Sequence, residues 1–401
     1  MQGDALLKIE NNEQCTGCGA CKNICKRNAI SMIEDEEGFL KPSINHERCI
    51  NCGLCDQICP IFNYKSSNTK NPKSFLFMNK DKIEKEKSSS GAFFPLIAKY
   101  IIEQNGIVFG VIWDENIKAI QASAQNFDEL EKMRGSKYVQ ADTKSTFKEV
   151  QYFLDKGKVV LYSGTPCQIA GLKSFLKKDY QNLITIDLIC HGVPSRKIFE
   201  YYKKMFLKQK RDNTKIININ MRPKPVKFEY IHYWKIETLL KTYKISMQKN
   251  PFVLTFLYNL NLNKSCINCR FNCLPRVGDI TIGDFNGVEY FENNLKVEDG
   301  VSVILLNNKK GERFYEEISK QQISKEVPFE KVVRYNLNIV EATRPHEKRD
   351  AFFKNFLLKE QSMEDFAKRY IKIYPFEIIY IYKRLPNFIK KIIKKILAKN
   401  D

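Results

Sequence analysis

The sequence predicts a small α+β module at the N-terminus, a larger mixed α/β domain behind it and a basic helical tail. Three observations carry that expectation. Eight cysteines between Cys15 and Cys59 fall into two identical spacing patterns, the mark of a module built by repetition. From Ala92 onward, short apolar runs alternate with helix-length segments, as in an α/β arrangement. After Pro386, apolar residues and lysines segregate at helical spacing.

With 401 residues, 43% of them hydrophobic and 12% aromatic, the chain suits two or three domains with real interiors. Met1 to Gln14 mixes charge with short apolar runs, so no secretory leader is expected. No window offers the ~18 uncharged apolar residues of a membrane span. The expected location is cytoplasmic, where thiols stay reduced. Thirteen cysteines therefore argue for metal ligation over disulfides. The formal charge of +20 raises nucleic-acid binding. Against it, the lysines are spread along the chain, and deprotonated cluster ligands would offset part of the charge. Acidic partners such as a ferredoxin, or a polyanionic coenzyme, suit this surface better than nucleic acid.

In the N-terminal module (1–63), Cys15, Cys18, Cys21 and Cys25 form C-x2-C-x2-C-x3-C, and Cys49, Cys52, Cys55 and Cys59 repeat it 34 residues later. Three cysteines on a tight loop can each reach a different iron of one cubane. In two-cluster ferredoxins the fourth cysteine of each run ligates the other cluster. Cys15, Cys18, Cys21 and Cys59 are thus expected to hold one 4Fe–4S cluster, and Cys49, Cys52, Cys55 and Cys25 the second. Gly19 and Gly53 occupy equivalent places, where a loop wrapped on a cluster has no room for bulk. Pro60 follows Cys59 as the pattern expects, whereas Lys26 replaces the proline after Cys25. Two zinc sites are the competing reading, disfavoured by the doubled spacing.

Residues 64–74 turn polar and read as a linker. Beyond it, residues 75–156 and 157–340 read as two parts of one domain. Helices are expected at Ala92–Gln104, stopped by Asn105-Gly106, at Thr146–Asp155, closed by Gly157, and at Gln168–Lys177. Strands are expected at Ile107–Ile112, Lys158–Tyr162 and Leu183–Ile189. Cys167 then lies in the turn past one strand, and Cys190 just past the next. If those strands pair in parallel through a right-handed crossover, both thiols emerge at the carboxyl edge of the sheet, where such sheets place ligands. Cys266, Cys269 and Cys273 follow, so five cysteines are available for the four positions of a third 4Fe–4S cluster. The alternative is that Cys167 and Cys190 are ordinary buried thiols.

These features together resemble a known family. The two-cluster module, Ser163-Gly164-Thr165-Pro166-Cys167-Gln168, Cys190-His191-Gly192, the Cys266–Cys269 pair and Asp279-Ile280-Thr281-Ile282-Gly283-Asp284-Phe285 resemble the beta subunit of coenzyme F-420 hydrogenase/dehydrogenase. The resemblance spans about residues 10 to 330. It implies FAD beside a 4Fe–4S cluster held by Cys167, Cys190, Cys266 and Cys269, with Cys273 outside the set. It also implies electron exchange between a hydride-carrying 5-deazaflavin and iron–sulfur partners. Two stretches match the family's flavin contacts. Ser88-Ser89-Ser90-Gly91 precedes a helix whose N-terminus suits a pyrophosphate; its plain reading is a loop and N-cap. Arg134-Gly135-Ser136-Lys137-Tyr138 offers cations, a hydroxyl and an aromatic ring; alone it reads as a helix end and turn. Thr165, His191 and Asp284 join the expected cofactor contacts, while Asn286 departs from the aromatic residue the family often has there. No G-x-G-x-x-G follows a strand, so a conventional dinucleotide fold is not expected.

The expected function is that of an iron–sulfur flavoprotein oxidoreductase passing electrons between coenzyme F-420 and ferredoxin-type acceptors. The rivals are a ferredoxin-dependent reductase of an organic substrate, such as one serving glycan assembly, and a non-catalytic relay subunit. No proton-transfer residue is assigned. Residues 211–262 mix cations with aromatics, including Arg222, Lys224, Lys227, Tyr230, Tyr233 and Trp234, and read as strands around a polyanionic pocket or a solvated sheet face. In the tail (341–401), Phe388, Ile389, Ile392, Ile393, Ile396 and Leu397 oppose Lys390, Lys391, Lys394, Lys395 and Lys399. Such a helix suits docking on the body of the protein, on a partner or on an anionic membrane surface.

Overall fold

The structure is a computed structural model that describes residues 8–9, 12–224, 233–295, 300–356 and 363–371. Lys227, Tyr230 and the amphipathic pattern after Pro386 lie outside the described residues. The N-terminal module folds around an antiparallel hairpin, β1 (Ile30–Glu34) and β2 (Leu40–Ile44). Eleven further strands follow among the described residues. They are β3 (Lys73–Met78), β4 (Ile107–Trp113), β5 (Ala119–Ala124), β6 (Val160–Gly164), β7 (Leu183–Leu188), β8 (Ile216–Asn220), β9 (Tyr233–Thr238), β10 (Thr242–Ser246), β11 (Ile280–Asp284), β12 (Ser302–Leu306) and β13 (Ile323–Val327).

Eight of them form one mixed sheet in the order β13-β3-β12-β11-β7-β6-β4-β5, and β10-β9-β8 form a second. Four adjacent strands of the large sheet, β11, β7, β6 and β4, run parallel, and the strands on either side of them pair antiparallel. Val160, Leu161 and Tyr162 of β6 are all fully buried. A continuous apolar run is what a parallel strand covered on both faces requires. The helix Phe93–Glu103 covers one face; Asn105 then turns with positive φ, and Gly106 lets the chain pass the Val159 carbonyl, 2.8 Å from where a Cβ would stand.

Boundaries shift by one or two residues from the expectation, β6 running Val160–Gly164 in place of Lys158–Tyr162, and one shift bears on the site. The helix after β6 is Pro166–Leu176, so Cys167 sits in its first turn and not in a preceding loop. Thr165 and Gln168 close a reciprocal capping box with Pro166 at the first helical position, which starts the helix two residues early. Within the basic aromatic stretch, Tyr233 and Trp234 are buried in the core, so that part of it is not a solvated face. The polar segment after the module is tied down along its length. Tyr64 packs on Phe271, Ser66 Oγ and Asn68 Nδ2 donate to the Arg276 carbonyl, and Thr69 N–H donates to Asn307.

The module docks on the large domain through its first cysteine loop. Gln140 Nε2 donates to the Thr16 carbonyl at 3.1 Å, Thr143 Oγ1 to Cys18 O at 3.0 Å and Asn23 Nδ2 to Lys144 O at 3.0 Å. Arg196 pairs with Glu34, and Arg349 with Glu37. Gly19 and Gly53 hold φ of +77° and +67°, but a Cβ on Gly19 would stand 2.2 Å from Thr143 Oγ1, whereas one on Gly53 would meet nothing within 4 Å. Gly53→Ala is therefore expected to cost only the left-handed backbone penalty of about 1–2 kcal/mol. Gly19→Ala adds a collision at the interface and is expected to cost about 2 kcal/mol more, within the range seen for overpacking. Paired chemical-denaturation curves of the two variants check this.

Candidate redox site

A cavity of about 690 Å³ opens at the carboxyl ends of all four parallel strands, walled by Gly110, Ser163, Leu188 and Gly283 among others. Open α/β sheets gather ligands at this edge because the strands stop there and their loops splay apart. The volume lies inside the range of about 300–1,000 Å³ typical of cofactor sites.

Cys167, Cys190, Cys266 and Cys269 all line this cavity. Cys167 reaches it from the helix after β6 and Cys190 from the loop after β7. Cys266 comes from the short helix Lys264–Ile267 and Cys269 from the turn that follows. All are free thiols. Burial, followed by repulsion from Cys269, pushes Cys167 up to about 11, and burial pushes Cys266 to about 12. Cys190 is held well above the ordinary range by burial and by Cys266, Cys167 and Cys269. Four buried thiols that repel one another as thiolates fit a cationic iron–sulfide core, which supplies the compensating positive charge. Thr165 Oγ1 lies 3.1 Å from Cys167 Sγ, and the Val193 N–H points at Cys266 Sγ from 3.4 Å. Such bonds to sulfur orient ligands and tune a cluster. Cys273 is not part of the wall; its thiol donates to the Arg270 carbonyl. Among the described residues, no group of three or more His, Cys, Asp or Glu is arranged to hold a single metal ion.

In the N-terminal module, Cys15, Cys18, Cys21 and Cys59 line one small pocket with Ile9, Met32 and Ile61. The structure thus brings together the crossed set expected from the repeat. Cys25 and Cys55 share an apolar cluster, Cys55 is pushed to about 11 by burial and by Asp56, with Cys52 adding to it, and Cys49 and Cys52 lie toward the surface. Thr16, inside the first loop, lines both the small pocket and the large cavity. The helix begun by Pro166 also touches the module, since a Cβ on Gly171 would stand 2.9 Å from Cys18 Sγ.

The expected flavin residues converge on the same cavity, apart from Gly91. Ser88, Ser89, Ser90, Arg134, Gly135, Ser136, Lys137, Tyr138, Thr165, His191 and Asp284 all line it. Gly91 lies behind the wall, where a Cβ would meet the Phe77 carbonyl at 2.5 Å; its role is close packing against the sheet. No serine caps the helix Phe93–Glu103, whose N-cap is Ala92 in the left-handed region, and Ala92, Phe93 and Phe94 face the cavity. Arg134 is nearly buried, with Nη2 on Glu84 at 2.7 Å and Nε on Glu131 at 2.7 Å. Its Nη1 is buried without a partner. An orphaned guanidinium donor and an open helix N-terminus on residues of one cavity wall fit an anionic phosphate. Lys137 Nζ donates to the Arg134 carbonyl at 2.9 Å, and burial lowers its ammonium to about 7. His191 Nε2 meets Asn259 Oδ1 at 2.7 Å.

The two aspartates around β11 part company. Asp284 faces the cavity and pairs with Arg222, whereas Asp279, at the other end, holds Thr185 and Asn308 in the core. Arg222 is a wall residue that sequence reasoning placed only within a basic stretch. Trp234, from the same stretch, also lines the cavity, as do Asn272 and Ser265, which carried no local signal.

A cysteine-lined cavity at the sheet's carboxyl edge, with an eight-cysteine module docked beside it, defines an iron–sulfur electron-transfer protein of the oxidoreductase class. Comparison with known proteins agrees. Residues 157–332 match the family of C-terminal regions of the coenzyme F420 hydrogenase/dehydrogenase beta subunit, and residues 14–63 match the family described as "4Fe-4S dicluster domain". The match to the dicluster domain thus precedes the match to the C-terminal region of that beta-subunit family along the chain. Among solved structures it is similar to a chain of the F420-reducing [NiFe] hydrogenase complex from Methanosarcina barkeri. That likeness has 15% identity and a TM-score of 0.43, over 76% of this chain and 94% of that one. None of the curated proteins matches the chain. Among the described residues no helix is long and apolar enough to cross a membrane.

Proposed function

We propose that this chain exchanges electrons between a hydride carrier, with the deazaflavin coenzyme F-420 as first candidate, and a ferredoxin-type protein. FAD and a 4Fe–4S cluster would share the large cavity, and two further clusters would sit in the module. The observation that carries this reading is the convergence of Cys167, Cys190, Cys266 and Cys269 with Arg134 and the Ser88–Ser90 segment on one cavity. Bound there, FAD would accept a two-electron hydride and release single electrons to iron–sulfur clusters, a conversion that side chains alone do not perform. The chain's own contribution is placement. Arg134 Nη1 and the helix N-terminus at Phe93 receive the phosphates, and the four thiolates hold the neighbouring cluster. Thr16 and Cys167 bring the first module loop against the cavity wall.

An anaerobic absorbance assay tests the proposal, with reconstituted protein, FAD, ferredoxin and coenzyme F-420 supplied in either oxidation state. Flavin-dependent turnover of the coenzyme is expected. If ferredoxin reduces the flavin while the coenzyme stays unchanged, the hydride carrier is wrong and an organic substrate of a ferredoxin-dependent reductase takes its place.

A pH dependence follows from Lys137. A phosphate in the cavity favours the charged ammonium and raises its pKa from about 7. Flavin binding is then expected to take up a fraction of a proton near and above pH 7, so affinity weakens as pH rises toward about 9. Calorimetry in buffers of different ionisation heat reads the proton uptake directly.

A further inference from the structure

The two cysteine loops of the repeat are alike in spacing and opposite in setting. In the first loop Thr16 is 8% exposed, and a Cβ on Gly17 would meet Gln140 Nε2 at 2.6 Å. In the second, the corresponding residues are Ile50, 63% exposed, and Asn51, also exposed, with open space around Gly53. One loop is thus the inner contact to the large cavity, and the other faces solvent with Cys52 exposed.

The charges divide the same way. Glu34 and Glu37 of the module turn inward to Arg196 and Arg349. Outward, Lys26, Arg27 and Arg48 are exposed and Lys22 is half-buried, while Glu47 is the one exposed carboxylate in residues 22–28 and 45–54. Asp56 is occupied by the backbone N–H groups of Lys8 and Ile9. The two basic segments belong to one end of the module, because Asn45 N–H donates to the Ala29 carbonyl at 2.8 Å. An exposed apolar residue on a ligand loop, with cations on the adjoining turns, has the composition of a small, transient, electrostatically steered interface.

We propose that the Cys49–Leu54 loop, with Lys22, Lys26, Arg27 and Arg48, is the docking site for a separate acidic one-electron carrier protein. The inference rests on the reading that both cysteine sets of the module hold clusters. Each encounter moves one electron. The cluster on Cys49, Cys52, Cys55 and Cys25 is oxidised as the carrier is reduced, or the reverse, and two encounters balance one hydride. The first loop is closed to such a carrier by Gln140 and Thr143.

The test uses the full chain with its clusters reconstituted, their loading checked by iron content and by the spin signals of the reduced clusters. The probe is an acidic bacterial-type ferredoxin. Its affinity is measured at low and moderate salt for the native chain and for the Lys26→Glu/Arg48→Glu double variant. A charge-matched control, Lys320→Glu/Lys331→Glu, uses exposed lysines of the large domain. Carbodiimide cross-links are mapped in parallel. The expected result is at least about tenfold weaker binding for the first variant, little change for the control, and cross-links at Lys22 or Lys26. Unchanged affinity with both clusters loaded, or cross-links only on the large domain, would overturn the docking site and leave the cluster reading standing. A module that loads no iron would overturn the cluster reading, and this inference with it.

Discussion

Replacing Cys167 with alanine is expected to lower the iron content of the reconstituted chain from about twelve to about eight atoms per molecule. Electron exchange between flavin and ferredoxin should fall at least a hundredfold, beyond the 10–100-fold loss typical of outer-shell changes, because an actual ligand is removed. The position explains the size of the effect. Cys167 sits in the first turn of the helix Pro166–Leu176, fixed by the Thr165–Gln168 capping box, and its thiol faces the same cavity as Cys190, Cys266 and Cys269. Thr165 Oγ1 loses its 3.1 Å contact with the thiol, but the capping-box bonds run between Thr165 and Gln168, so the fold should survive the substitution. Cys273→Ala serves as the comparison and should keep about twelve irons, since its thiol lies outside the cavity wall. Iron and sulfide analysis of the two variants, with flavin reduction kinetics, checks both statements.

Arg134→Ala should be the most damaging change on the flavin side. It removes the buried, unpartnered Nη1 of a residue in the cavity wall, and also deprives Glu84 of its shortest ion pair. Burial opposes ionisation of Glu84, but the Lys99 and Arg134 hydrogen bonds outweigh it and hold its pKa below the ordinary value. That contribution is present above the ordinary carboxylate range and lost as pH falls through the depressed value. Losing a charge-assisted bond to phosphate is worth about 1.5–3 kcal/mol, or roughly a tenfold to hundredfold rise in flavin Kd. Leaving Glu84 with Lys99 as its remaining ion-pair partner should lower stability by about 1–2 kcal/mol at neutral pH. Arg134→Lys should recover charge for Glu84 but not the forked geometry, so stability returns further than flavin affinity. Flavin fluorescence titration and thermal unfolding separate the two effects.

Much of this architecture was legible in the sequence where the constraint is local. The spacing of Cys15 through Cys59 dictates which thiols share a loop, and the crossed set of Cys15, Cys18, Cys21 and Cys59 meets at one pocket. Apolar runs marked β4, β6 and β7, and their order placed Cys167 and Cys190 at the same edge. What was not legible depends on contacts made across the chain. The Arg222–Asp284 pair joins the chain just past β8 of the small sheet to the end of β11 in the large one, and although each residue was singled out separately, nothing local pairs them. Nothing in the spacing of Asp279 and Asp284 separates the core residue from the cavity residue. The capping box was written in Thr165-Pro166-Cys167-Gln168 and would have placed the helix start correctly. Thr16-Gly17 against Ile50-Asn51 was equally visible, but its meaning appears only once Gln140 and Thr143 are seen covering the first loop.

The central claim is that one chain carries three 4Fe–4S clusters and a flavin. Anaerobic reductive titration of the reconstituted protein, followed by absorbance and electron spin resonance, tests it most directly. Two electrons for the flavin and one for each cluster sum to about five per chain, which is the expected end point. An end point of about two, with no flavin bleaching and only the module's clusters seen, would contradict the account and leave the large cavity without a redox role.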